Sequence, residues 1–307
     1  MEKLDSNLLF EIANMKAAPT AGAYNIRKNG GMESRSSTEH IQITSKEDKP
    51  GIDIRVKPFT KGESVHIPVI VTESGFNDLV YNDFYIGDYA DVDIIAGCGI
   101  HNDGHAKTQH DGIHTFHLGK HAKVRYVEKH YGEGSGDGEK VLNPETVVYL
   151  DEHASITLDM VQIRGVDSTK RYTKVIAEGE GSECIVTERL LTDGKQFAES
   201  RMDVILNGKD SKTQVISRSV AQDESVQIFY PQVEGNAACF GHVQCDSIIM
   251  DNARISAIPA IVANHTDAQL VHEAAIGRIA GDQILKLMTL GLTEEEAEAK
   301  ILDGFLQ

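Results

Sequence analysis

The sequence has 307 residues, of which 40% are hydrophobic and 25% are charged, a composition typical of a globular protein with its own core. Its formal net charge of −17 repels nucleic-acid phosphates and anionic lipid headgroups, and Lys and Arg form no basic run. No apolar stretch reaches the roughly 18 residues of a membrane-spanning helix, and the early acids Glu2 and Asp5 argue against a signal peptide. We therefore expect a cytoplasmic protein that binds neither nucleic acid nor membrane.

The N-terminal part of the chain contains one predicted helix. Leu4, Leu8 and Ile12 recur at helical spacing, so residues 1–15 are predicted to form an amphipathic helix. Residues 16–40 hold a proline, a Gly-Gly pair and a Ser/Thr run, and this composition predicts a loop or linker.

The long middle of the chain, residues 41–270, has the pattern of many short strands. Apolar residues alternate with polar ones in several runs: Val65, Ile67, Val69 and Val71; Ile156, Leu158 and Met160; Met202, Val204 and Leu206; Val226, Ile228 and Tyr230. This period of two predicts strands, and Gly, Asn and Asp predict turns between them. Such a pattern fits a sandwich, a barrel or a β-helix. The lack of a repeat of fixed length argues mildly against a regular solenoid.

Residues 280–307 change to helical spacing. Gly291 is placed to end a first helix, and Thr293 with Glu296 forms a capping box that opens a second. The second helix is too acidic to face DNA phosphates, so a helix-turn-helix is disfavoured. We expect a surface for docking another protein, with these apolar residues: Leu287, Met288, Ile301 and Phe305.

Seven histidines are concentrated in one segment: His101, His105, His110, His114, His117, His121 and His130. Some are four residues apart, which puts both imidazoles on one face of a helix or strand. Neutral imidazole binds zinc and iron, so one hypothesis is a metal-dependent β-helix hydrolase with Asp103 or Asp111 as the base. The alternative is that these histidines bind nothing.

Another candidate site involves one of the four cysteines. Cys98, Cys184, Cys239 and Cys245 form no CxxC pair, so we expect free thiols. Cys245 is followed 27 residues later by His272 and then Glu273. A thiolate, an imidazole and a carboxylate can all bind iron if strands bring them together. From the residues alone a metal site is the weaker interpretation, because a lone cysteine in an apolar strand is usually buried and a lone His-Glu pair usually lies at the surface.

The chain resembles SufB, a scaffold protein of the SUF system, most specifically over residues 244–305. The resemblance covers most of residues 80–307 and is carried by these segments: 244–247 (QCDS), Pro259, 268–274 (AQLVHEA), 278–279, 282–283, 291–295 (GLTEE) and 304–305. It implies a mainly β fold with a right-handed parallel β-helix core. The implied divisions are an N-terminal helix and linker over 1–40, the core over 41–275 and a helical segment over 276–307.

The resemblance also implies a function. The chain would be a non-enzymatic scaffold subunit that builds a transient iron–sulfur cluster at an interface with a second SufB-like subunit, most simply as a homodimer. A SufC-like ABC ATPase would bind the C-terminal helices, and a sulfur donor protein would supply sulfur.

Individual site residues follow from the same resemblance. Cys245, His272 and Glu273 would hold the nascent cluster, Cys98 would accept sulfur, and His265 is an additional candidate ligand. The sequence departs from SufB in three ways: Val271 replaces a Glu, little chain precedes the β region, and no Trp is present where the family has a core aromatic. A SufD-like structural partner without a cluster is the alternative, although the presence of both Cys245 and Glu273 argues against it.

Overall fold

The computed structural model describes residues 3–15 and 22–306. Strands make up 58% of the structure and wind into a parallel β-solenoid of about eight turns. A short helix precedes the solenoid and two helices follow it. The predicted β-helix fold is confirmed, and its right-handed sense stays a prediction.

The chain alternates between two sheets, so that each turn contributes to both. Sheet A contains β1 (Ala23–Lys28), β2 (Gly31–Ser36), β5 (Lys61–Val71), β7 (Asp91–His101), β9 (Lys123–Glu133), β12 (Ser155–Gln162), β14 (Glu183–Thr192), β16 (Lys212–Ala221), β18 (Phe240–Ile249) and β21 (Gln269–Gly277). Sheet B contains β3 (Ile41–Ser45), β4 (Gly51–Val56), β6 (Asn77–Ile86), β8 (Thr108–Leu118), β10 (Lys140–Leu142), β11 (Glu145–Leu150), β13 (Ser168–Ala177), β15 (Phe197–Leu206), β17 (Val226–Gly235), β19 (Arg254–Ala257) and β20 (Ala260–Ala263).

Alternating apolar residues fill the space between the sheets. In β12, Ile156, Leu158 and Met160 point inward and are at most 1% exposed. Leu158 pairs in register with Val186 on the next strand of sheet A, so apolar side chains stack from turn to turn. Burying each such side chain contributes about 1.5–3 kcal/mol, which is why the period of two in the sequence becomes a solenoid core.

The turns of the solenoid differ in length. Side chains that bond across adjacent turns are 27, 28, 29 or 32 residues apart in sequence. A parallel stack tolerates this variation because the extra residues lie in the connections between strands. The variation explains why the sequence shows no repeat of fixed length.

At the N-terminus, α1 (Lys3–Ala13) confirms the predicted helix over its described residues. Leu8, Leu9 and Ile12 are buried against the outer face of sheet A. The predicted loop over residues 16–40 is wrong where β1 and β2 form, while residues 16–21 lie outside the described part. These two strands are mostly polar, and their pairing to sheet A overrides their weak local pattern.

At the C-terminus, α2 (Gly281–Thr289) and α3 (Glu294–Phe305) confirm the predicted helix pair. Gly291 has a φ of 98°, the left-handed conformation that ends a helix, and the Thr293–Glu296 capping box is formed. None of the helices in residues 3–15 and 22–306 is long and apolar enough to cross a membrane.

The two ends of the solenoid are built differently. At the N-terminal end the outermost strands, β2 and β3, run antiparallel to their neighbours, and β2 is polar. At the C-terminal end β19, β20 and β21 are parallel outermost strands, which we call the C-terminal edge. This edge and the turn within it expose apolar side chains: Ile258, Ile261, Val262, Val271 and Ile276.

Candidate functional site

The last two strands of sheet A position the predicted site residues. β18 and β21 are parallel neighbours, with Val243 paired to His272 and Cys245 paired to Ala274. β21 pairs only with β18 within the described residues, so it forms the outer edge of the sheet. The site therefore spans the last two turns of the solenoid.

Cys245 and His272 are brought together on the interior face of this edge. The Cys245 Sγ lies 3.4 Å from His272 Nε2, and Cys245 is only 3% exposed. Burial, with Glu188 and Asp246 nearby, raises the pKa of the Cys245 thiol to about 12. Burial and the neighbouring His242 lower the pKa of His272. The pair is thus a neutral thiol beside a neutral imidazole, and the thiol must lose its proton before it binds iron.

Glu273 does not share this face. Consecutive residues of a strand point to opposite sides, so Glu273 lies on the outer surface of sheet A with its side chain 66% exposed. Its Oε2 is 3.5 Å from Nε2 of His242, a residue that the sequence analysis missed. The missing signal was the register of β18 against β21, which no local pattern reveals.

His265 occupies the turn between β20 and β21. Its ring is exposed, and its Nδ1 accepts a hydrogen bond from the backbone N–H of Asp267 at 3.1 Å. This contact stabilises the turn. The ligand role of His265 stays a prediction.

Cys98 also faces the interior, several turns away on β7. It is 3% exposed, and burial with the nearby charges of Asp78 and Glu128 raises its pKa well above the ordinary value. A cavity of about 20 Å³, room for about one water, adjoins the thiol. On the opposite face of β7 the flanking Gly97 and Gly99 leave space for α1.

A column of buried polar residues lies in the interior between the two cysteines. Arg171 forms an ion pair with Glu128 and lies 3.6 Å from a Glu188 carboxylate oxygen. Ser200 and Ser217 donate hydrogen bonds to Glu188 at 2.8 and 3.3 Å. Glu188 and Ser217 also line a second cavity of about 20 Å³ beside Cys245. The buried charges are therefore paired and hydrogen-bonded, as stable burial requires.

Three of the seven histidines belong to this interior. His110 Nδ1 is 3.1 Å from Asp78 Oδ2, and His114 Nδ1 is 2.6 Å from the Tyr126 hydroxyl. Burial lowers the pKa values of His114 and His130 to about 4, so both rings are neutral near pH 7. Each ring has a protein partner and serves the interior packing.

Two more histidines belong to stacked columns on the outside. The His117 ring lies between those of Tyr85 and Tyr149, with centroids 5.2 and 5.1 Å away. His121 stacks on His153 at 5.0 Å along the turns of the solenoid. These columns arise because equivalent positions of successive turns lie above one another.

The remaining two histidines, at the end of β7 and in the connection that follows it, pair with acids. His101 lies 2.8 Å from Asp103 and 3.3 Å from Glu133. His105 lies 2.5 Å from Asp137, with both side chains exposed. The Asp103 carboxylate accepts hydrogen bonds from Ser135 and His101, which lower its pKa to about 2.

The histidine segment therefore divides among separate environments. Across residues 3–15 and 22–306, no three potential ligands among His, Cys, Asp and Glu converge on one point. Asp111, the other suggested base, accepts a hydrogen bond from Gln109 on the same strand. The hydrolase hypothesis gains no support from this arrangement.

Comparison with known proteins identifies the family. Residues 81–305 match the family described as SUF system FeS cluster assembly, SufBD core domain. An iron–sulfur cluster assembly SufBD family protein of Methanocaldococcus jannaschii is 26% identical over 272 residues, covering 87% of this chain and 85% of the relative. One from Archaeoglobus fulgidus is 26% identical over 278 residues, covering 89% of this chain and 72% of the relative.

A relative from Methanothermobacter thermautotrophicus is 29% identical over 225 residues. This match covers 71% of the present chain and 52% of the relative, so the chain spans about half of that protein's length. The family match itself includes β18, β21 and both C-terminal helices. The chain belongs to the SufBD family of iron–sulfur cluster assembly proteins.

Proposed function

We propose that this chain is a scaffold subunit on which a nascent iron–sulfur cluster is built at an interface between two copies. The observation that carries the proposal is the contact between Cys245 Sγ and His272 Nε2, 3.4 Å apart on the last two strands of sheet A. Both groups are iron ligands, and both lie in the last two turns, at the end of the solenoid that a second subunit would cover.

The C-terminal edge supports pairing with a second subunit. An outermost strand presents unpaired backbone groups, which proteins normally cap or cover. Here the edge also exposes apolar side chains, among them Ile261, Val271 and Ile276. Two copies joined at this edge would bury these side chains and bring two Cys245–His272 pairs near one interface.

A mixed set of cysteine and histidine ligands suits a cluster that must be released to another protein. Permanent clusters are usually held by four thiolates. One cysteine and one histidine from each subunit would form a weaker set, completed by exchangeable groups. The cluster in this proposal is cargo, and the chain acts as a scaffold rather than as an enzyme.

The C-terminal helices support docking of a SufC-like ABC ATPase. None of the α2 side chains is buried, and Leu285, Met288 and Leu290 are 61%, 39% and 76% exposed. Apolar side chains on an exposed helix are typical of an interaction site. ATP hydrolysis by the partner would then be transmitted to the C-terminal edge through residues next to β21.

A sulfur donor protein and Cys98 complete the proposal. Cys98 and Cys245 face the same interior, and the polar column containing Arg171 and Glu188 lies between them. The raised pKa of Cys98 means that sulfur acceptance requires a conformation in which its thiol is more exposed. We place the whole process in the cytoplasm.

The test is anaerobic reconstitution with iron and sulfide, followed by visible absorption and iron counting. We expect wild type to gain a cluster, and Cys245→Ala and His272→Ala to lose it. Cys184→Ala is the matched control, because Cys184 is an equally buried interior cysteine three strands of sheet A before β21. Equal loading of all four proteins would refute the site. Failure of wild type to load would favour the SufD-like alternative.

A further inference from the structure

A groove of about 590 Å³ crosses the outer face of sheet B, several turns before the C-terminal edge. It runs along the solenoid axis from Arg55 on β4 to Glu178, which follows β13. Parallel strands lie about 4.8 Å apart, so the five turns that the groove crosses span roughly 19 Å. Its volume falls within the range of ligand-binding clefts, about 300–1,000 Å³.

One wall of the groove is made of stacked rings. Tyr85, His117 and Tyr149 occupy equivalent positions of β6, β8 and β11, and their rings stack along the axis. Because the rings stack face to face, their largely apolar edges line the groove. The floor carries no side chains at Gly87 and Gly119, where the preceding turn leaves no room for a methyl group. The close approach of successive turns therefore leaves a channel beside the rings.

The two ends of the groove carry opposite charges. The guanidinium carbon of Arg55 lies 4.1 Å from the centroid of the Tyr85 ring, and the Arg55 side chain is 54% exposed. This stacking orients the planar group while its N–H donors stay accessible. Asp151 and Glu178 lie at the other end, and both are exposed. Each accepts a hydrogen bond at 2.7 Å from a neutral donor, a backbone N–H and an asparagine amide respectively. Those bonds leave both carboxylate charges available to a ligand.

The separation of these charges determines the kind of ligand. A free amino acid would reach only one end. An extended peptide rises about 3.3 Å per residue, so four to six residues cover the roughly 14–19 Å between the charged ends. Complementary charges at both ends would fix the register and direction of such a peptide.

We propose that this groove binds an extended segment of another protein. The segment carries a basic side chain for Asp151 and Glu178 and, four to six residues away, an acidic side chain for Arg55. Apolar side chains between them pack on the ring edges. One charge of each sign leaves this part of the segment without net charge, so its binding differs from a general attraction of cations to a chain of charge −17. The inference goes beyond the scaffold function and does not depend on it.

The experiment selects ligands from random phage-displayed heptapeptides on the immobilised full chain. Phage that bind the double variant Asp151→Asn with Glu178→Gln are removed first, which discards ligands of other surfaces. We expect the remaining peptides to pair Lys or Arg with Asp or Glu four to six residues apart. A selected peptide is then synthesised with a fluorophore, and its Kd is measured by fluorescence anisotropy.

Single variants test both ends of the groove. Glu178→Gln and Arg55→Gln should each weaken binding of the selected peptide about threefold to tenfold. Glu180→Gln and Arg125→Gln are matched controls and should bind as wild type does. Glu180 is exposed two residues beyond Glu178. Arg125 is 56% exposed, and Arg125 and Arg55 lie 3.7 and 3.6 Å from a neighbouring aspartate. All four positions are exposed, so these variants will fold.

Changing the peptide identifies its contact. Replacing its basic residue with Gln should abolish the difference between wild type and Glu178→Gln, because the two groups form one pair. No enrichment over the double variant, selected peptides without paired charges, or an equal Kd in wild type and both groove variants would each overturn the inference. Complete competition by free arginine at the peptide's concentration would indicate a site for a single amino acid and would overturn it as well.

Discussion

Single residues in the solenoid interior combine charge with complete burial. Burial alone would raise the pKa of Glu128. The nearby charges of Arg171, His130 and His114 outweigh burial and lower that pKa to about 2. Arg171 also faces Glu188, so one cation neutralises two buried acids. In the interior such a charge depends on its partners far more than a surface charge does.

Removal of Arg171 should therefore be costly. Arg171→Leu leaves both acids buried without their cation, and we expect a loss of about 3–5 kcal/mol in the free energy of unfolding. Arg189→Leu is the matched control, because Arg189 pairs with Asp159 at a partly exposed position and should contribute about 1 kcal/mol or less. Urea denaturation measures both. Equal losses would contradict the assigned role of the interior column.

The buried histidines predict how stability depends on pH. His114 and His130 have folded pKa values of about 4, below the ordinary value of about 6.5. As pH falls below 6.5, the unfolded chain takes up protons that the folded chain does not, so stability decreases towards pH 4.

When the pH falls from 7 to 5, each of these histidines should lower the free energy of unfolding by on the order of 2 kcal/mol, since one pKa unit corresponds to about 1.4 kcal/mol. His114→Asn should flatten the pH dependence measured by urea unfolding. His105→Asn, at an exposed position, should leave it unchanged. An unaltered slope in His114→Asn would contradict the prediction.

At the scale of elements, α1 lies on sheet A because two glycines of β7 make room for it. A methyl group at Gly97 would come within 2.7 Å of the Ile12 carbonyl oxygen and 2.9 Å of that of Lys129. The residues around Cys98 thus owe their composition partly to helix packing. Gly97 and Gly99 are therefore explained by helix packing and add no support to the predicted role of Cys98 as sulfur acceptor.

Gly97→Ala should loosen α1. The clash involves backbone atoms, so we expect a loss of about 1–3 kcal/mol in stability and faster amide exchange at Leu8 and Leu9. Gly277→Ala is the control, since no atom lies within 4 Å of the methyl group it would add. Unchanged amide exchange at Leu8 and Leu9 in Gly97→Ala would show that α1 accommodates the methyl group, and would contradict the prediction.

The helices and strands also show which parts of the fold could be predicted from the sequence. Apolar alternation predicted strands such as β12, and the capping box predicted the start of α3, because both signals are local. The pairing of strands about 30 residues apart is not local, so sandwich, barrel and β-helix remained equivalent until the family resemblance was used. For the same reason His242 was missed, although the strand period already placed His272 and Glu273 on opposite faces.

At the scale of the whole molecule, the two ends of the solenoid predict how copies associate. We expect a dimer in sedimentation equilibrium, and a monomer for the double variant Val271→Lys with Ile276→Lys, because charge on the C-terminal edge opposes pairing. Met32→Lys adds a positive charge at the opposite end and should remain dimeric. A dimer that persists in the double variant would place the interface elsewhere.

The position of β21 on the last turn has a consequence for local unfolding. In a solenoid, stability is approximately the sum of each repeat's own term and its nearest-neighbour couplings. An inner turn has two neighbours, but the last turn of a single copy has one, so it opens at the lowest free energy of the parallel stack. Amide exchange in the isolated chain should therefore be faster in β21 than in β14 or β16. A partner that supplies the missing coupling would slow it, so His272 and Glu273 would become rigid only when two copies meet.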